Sequence, residues 1–99
     1  ELVKRNISRT LSGPSMFDYY RSALYLHETQ STLEKALEYI QAATRNEAAT
    51  FFMLTREALI LRDLGKEAQA KLVAKKALQL SEKAGNKDFI RINQKIIAL

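Results

Sequence analysis

Residues 64–80 read LGKEAQAKLVAKKALQL. The alanines at 70, 74 and 77 fall on one helical face, because steps of four and three residues return to the same side of a 3.6-residue turn. A face of methyl groups lets a second helix approach closely. Leu64-Gly65, just before it, supplies the backbone freedom for a tight turn. The segment therefore demands a helical partner folded back across that turn, and the fold class depends on whether the rest of the chain supplies more of them.

Six helical segments are predicted, each with its own punctuation. Leu2, Val3, Ile7 and Leu11 share one side of a short helix over 2–10, which Ser12-Gly13-Pro14 ends. Ser15, three residues before Asp18, is an N-cap signal for a helix over 16–29. Ser31-Thr32-Leu33-Glu34 has the form of a capping box, in which hydroxyl and carboxylate each satisfy the other's backbone N–H, and it opens a helix over 32–45. Asn46 caps a fourth helix reaching Leu64, and a fifth runs over 67–83 until Ala84-Gly85-Asn86. A sixth, from Asp88, aligns Phe89, Ile92 and Ile96, with Ile90 and Ile97 on a neighbouring row. No stretch alternates apolar and polar residues with β-branched enrichment, so no strand is expected. Linkers this short fold each helix antiparallel on its predecessor.

The hairpins repeat at an offset of 34 residues: Ala36 meets Ala70, Ala43 meets Ala77, Phe17 meets Phe51 and Ser31 meets Gly65. Tyr20 meets Leu54, Tyr25 meets Leu59, His27 meets Leu61 and Ile40 meets Ala74, so size class repeats more than identity. The series Leu54, Ala58, Leu61, Gly65, Ala70, Ala74, Ala77 resembles the tetratricopeptide repeat, and Tyr20, Leu24, His27, Ser31, Ala36, Ile40, Ala43 resembles it less closely. Leu24 stands where the repeat carries a small residue, Ser31 where it carries the turn glycine, and Glu57 where it carries an apolar residue. The resemblance implies an all-α fold of stacked antiparallel hairpins in a right-handed superhelix. One helical-repeat domain then spans 1–99, with an N-terminal capping helix and turn at 1–14, units at 16–46 and 47–84, and a C-terminal capping helix at 86–99.

A second similarity, to the C-terminal helical part of a family of bacterial exported proteins with an upstream all-β domain, rests on four runs. They are Gly13-Pro14, Tyr19-Tyr20, Leu33-Glu34-Lys35-Ala36-Leu37-Glu38 and Thr55-Arg56-Glu57-Ala58-Leu59-Ile60-Leu61. It implies the C-terminal part of a longer protein, periplasmic or secreted, and brings no activity with it.

Composition narrows the chemistry. There is no cysteine and one histidine, His27, which sits where Leu61 repeats and is read as a core residue. No second histidine completes a zinc site, the carboxylates lack calcium-loop spacing, and no glycine-rich phosphate loop occurs, so catalytic, metal and cofactor sites are all expected to be none. Glu34 and Glu38, one turn apart, read as ordinary surface. No apolar run approaches a membrane span.

A protein-binding scaffold is the remaining expectation. The repeat's phase puts Arg21, Tyr25, Glu28, Thr55, Leu59 and Arg62 in a groove lined by first helices, suited to a peptide, a partner or an upstream domain. The isoleucines of the last helix fit either a cap or a contact between copies of the chain. The alternative is an anion or nucleic-acid binder. Residues 1–61 balance seven Lys/Arg against seven Asp/Glu, whereas 62–99 hold nine against four, with Lys71, Lys75, Lys76, Lys83, Arg91 and Lys95 as the candidate patch. That end lacks an aromatic free to stack on bases.

Overall fold

The computed structural model describes residues 15–99, and the helix expected over 2–10 with its Gly-Pro stop lies outside the described residues. Five helices follow one another: α1 (Met16–Glu28), α2 (Leu33–Thr44), α3 (Phe51–Asp63), α4 (Glu67–Ala84) and α5 (Lys87–Ile97). There is no strand among the described residues. Each helix packs on the next, and α3 also touches α1 and α5.

Local chemistry sets the ends, not always where the motifs suggested. The reciprocal capping box forms at Ser15: its N–H donates to Asp18 Oδ2 at 3.0 Å, and its Oγ accepts from the Asp18 N–H at 3.3 Å. The box expected at Ser31–Glu34 does not form. Ser31 Oγ instead pairs with Thr29 Oγ1 at 2.6 Å, and Thr32, without a side-chain bond, takes the N-cap of α2. Asn46 does not cap α3. Its Oδ1 accepts from the Ala48 N–H at 2.8 Å, a local turn that competes with helix and delays α3 to Phe51.

The ends of α1, α3 and α4 share one motif. Ser31, Lys66 and Asn86 donate their N–H groups to the carbonyls of Leu26, Leu61 and Ser81, wrapping each C-terminus through a left-handed residue. That residue is Gly65 (φ 82°) after α3 and Gly85 (φ 70°) after α4, but Gln30 (φ 53°) after α1.

The alanine face is buried as the spacing required. Ala36, Ala43, Ala70, Ala74 and Ala77 have no exposed surface. Ala23, Ala36, Ile40 and Ile60 form one apolar cluster, and Ala58, Leu61, Ala70, Ala74 and Ile96 form a second, with Leu37 packed against both. Ile92 and Ile97 pack on the second cluster, so α5 turns this row inward. A run of edge-on aromatic contacts, Tyr20–Phe52 (5.4 Å), Phe52–Phe51 (5.9 Å) and Phe51–Phe89 (5.2 Å), ties α1, α3 and α5 together.

Candidate functional site

Of the six groove residues, the structure brings Arg21 and Tyr25 together. Both line an open cleft of about 580 Å³ between α1 and α2, with Leu26, Lys35 and Tyr39. Tyr25 is 67% exposed, and Arg21 Nη2 reaches Asp18 Oδ1 at 2.7 Å. Lys35 Nζ lies 5.9 Å from the Tyr39 ring centroid, a cation–π distance. Asp18 is held below its ordinary carboxylate range chiefly by the Ser15 backbone N–H, which leaves it anionic beside Arg21. Glu28 is exposed at the end of α1.

The second-unit positions behave differently. Thr55 is 1% exposed: it donates to the Phe51 carbonyl at 2.7 Å and accepts from Asn93 Nδ2 at 2.9 Å, so the approach of α5 covers it. Asn93 is itself buried, and its Oδ1 has no partner among the described residues. Leu59 is half-buried against the second cluster. Arg62 binds the neighbouring Asp63 Oδ1 through Nε and Nη2 at 3.1 and 3.0 Å. Three first helices thus do not present one continuous groove of these six side chains.

His27 is buried as expected, at 6% exposure, but it is not a plain core residue. Its Nε2 lies 2.7 Å from Asp63 Oδ2 and its Nδ1 lies 2.9 Å from Arg56 Nη1. A guanidinium only donates and a carboxylate only accepts, so Nδ1 is the acceptor and Nε2 carries the proton of a neutral ring. With both nitrogens occupied, the ring links two groups of α3 to α1 and leaves no free base for catalysis. Burial pushes the Asp63 carboxyl up, yet the hydrogen bonds from His27 and Arg62 outweigh it and hold the group below its ordinary range. The signal for this link was present: Arg56 and Asp63 stand seven residues apart, two turns on one face.

Glu57 was also legible only as an oddity. At 8% exposure it accepts from Thr44 Oγ1 at 2.8 Å and Gln41 Nε2 at 3.5 Å, and burial, against these bonds and the charge of Lys76, pushes its carboxyl up.

The basic residues are dispersed. Lys75, Lys76, Lys83, Arg91 and Lys95 are exposed and Lys71 is half-buried; Lys76 opens into the cleft beside Glu57, and Arg91 lies 3.7 Å from Asp88. Among the described residues no group of three or more His, Cys, Asp or Glu is placed to hold a metal ion, and no helix is long and apolar enough to cross a membrane. No protein-family model, curated protein or solved structure matches the chain.

Proposed function

We propose that the chain is a tetratricopeptide-type stack of helical hairpins, wound as a right-handed superhelix, and that it serves as a non-enzymatic protein-interaction module. The observation that carries the reading is the open α1–α2 cleft, where an exposed Tyr25 shares one surface with Arg21, Leu26, Lys35 and Tyr39. Tyr and Arg beside apolar surface are the groups that dominate protein interfaces. The repeat reading is supported by the equal burial of Ala36 with Ala70 and of Ala43 with Ala77, 34 residues apart. The partner is a protein or peptide, including an upstream domain if these helices end a longer, exported protein.

A photo-crosslinking amino acid in place of Tyr25, with the same group in place of Lys83 as control, tests it in the source cells. The expected result is a discrete adduct, or an intramolecular crosslink to an upstream domain, from position 25 alone. Adducts from position 83 alone, lost steeply as salt rises, would favour the basic alternative, because phosphate contacts weaken with counterion concentration. No adduct from either position would overturn the reading.

A further inference from the structure

Helices α2 and α4 both pack on α3 but not on each other. The gap is a cleft of about 300 Å³ lined by Gln41, Thr44 and Arg45 of α2, Leu54 and Glu57 of α3, and Val73 and Lys76 of α4. An adjoining cavity of about 200 Å³ shares Thr44, Arg45, Leu54 and Lys76 and extends to Leu80. This space involves a different set of helices from the Tyr25 cleft.

Its chemistry is unusual for a packing gap. Glu57 occupies a place where the resembled repeat carries an apolar residue, and a buried carboxylate is costly unless donors replace the lost water. Thr44 Oγ1 supplies one good bond to Oε1, but Gln41 Nε2 reaches Oε2 only at 3.5 Å, the outer limit of a hydrogen bond. Lys76 and Arg45 are exposed side chains of the same cleft, yet neither comes within 4.0 Å of Glu57 as an ion pair among the described residues. The site thus holds a buried anion with spare acceptor capacity and two cations at its open rim.

A ligand carrying only a cation would meet the repulsion of Lys76 and Arg45, and one carrying only an anion would meet Glu57. A molecule with both charges close together satisfies each. Leu54, Val73 and Leu80 add aliphatic walls, and the volume stands at the low end for small-molecule sites. We infer that the α2–α4 cleft binds a small zwitterion of the α-amino acid class with an aliphatic side chain, its ammonium on Glu57 and Thr44 and its carboxylate on Lys76 and Arg45.

Amide NMR titration of the whole chain with L-leucine, N-acetyl-L-leucine and L-leucinamide tests this, with Glu57→Gln and Lys76→Gln as variants. Leucine is expected to move the amides of Gln41–Arg45, Leu54–Glu57 and Val73–Leu80. Blocking either charged end, or either substitution, is expected to weaken binding about ten- to hundredfold, the worth of one charge-assisted hydrogen bond. No shifts with leucine, equal shifts with a blocked analogue, or binding unchanged in both variants would overturn the inference. If one variant fails to fold, as its thermal melt will report, the other decides.

Discussion

The α1–α2 and α3–α4 hairpins are built on one register and held by different chemistry. Both bury their alanines completely, and both end their first helix in the same wrapped turn. At the joint, however, Leu61 of the second hairpin sits in an apolar cluster, whereas His27, its counterpart in the first, is gripped by Arg56 and Asp63 of α3. The turn uses Gly65 in one and Gln30 in the other. The comparison teaches that in such a repeat burial is inherited by position while its chemistry is not. A buried polar residue must draw its partners from the neighbouring hairpin, so the first unit is fastened to the second by directed bonds where the second coheres by area alone.

The largest test breaks that fastening. His27→Ala removes the buried ring, leaves a cavity and strands Arg56 and Asp63 in partly buried positions, and it should cost about 2–4 kcal/mol in urea melts. His27→Leu, which copies the second hairpin, restores the volume and should recover part of the loss but not all, since the α3 charges stay unpaired. A His27→Ala cost no larger than that of a surface substitution would show that the two joints do not differ in kind.

The same contrast has a pH signature. The folded Asp63 carboxyl is held below its ordinary value, so its contribution is fully present above that value and fades as pH falls through the lowered one. Asp63→Asn should therefore flatten the acid limb of the melting temperature measured against pH. Glu57 has the opposite sign. Its folded value is raised, so stability is greatest below the ordinary Glu value and is lost as pH rises through the raised one. Glu57→Gln should accordingly raise the melting temperature at neutral pH and change it little in acid.

The next effect asks whether the shared register is real. Ala36→Leu and Ala70→Leu each push a larger side chain into a contact with no exposed surface, and each should cost about 1–3 kcal/mol by overpacking. Equal losses in thermal melts would support one register in both hairpins, and an unchanged melting temperature at Ala70 would count against it.

What was legible in the chain follows from the range over which each interaction acts. The alanine faces and the Gly65 turn could be read because both are set by spacing and backbone preference within a few residues. The burial of His27 could be read from its match to Leu61, but its partners could not, since Arg56 and Asp63 lie 29 and 36 residues away and become neighbours only when α3 docks on α1. Thr55 was misplaced for the same reason, because Asn93 arrives from 38 residues on to cover it. The caps failed differently. Ser31 and Asn46 had the right chemistry, but each had a nearer partner, Thr29 and Ala48, and the local bond won. The α1–α2 cleft was half legible: Arg21 and Tyr25 came from the repeat's phase, while Lys35 and Tyr39 belong to a second helix that the phase did not assign to a surface.

The smallest effects lie in the two turns. Gly65 adopts a left-handed backbone, and an added Cβ there meets nothing within 4 Å, so Gly65→Ala carries backbone strain alone, about 1–2 kcal/mol. Gln30 already bears that strain, and Gln30→Gly relieves it. The substitution also deletes the 2.7 Å bond from Gln30 Nε2 to the His27 carbonyl and adds freedom to the unfolded chain, two losses of about 0.5–1 kcal/mol each that nearly cancel the gain. Gln30→Gly should therefore leave the melting temperature almost unchanged. Gln30→Ala, which keeps the strain and loses the bond, should lower it. If Gln30→Gly instead stabilises by as much as Gly65→Ala destabilises, the glutamine side chain contributes nothing, and the two turns differ only in the presence of a Cβ.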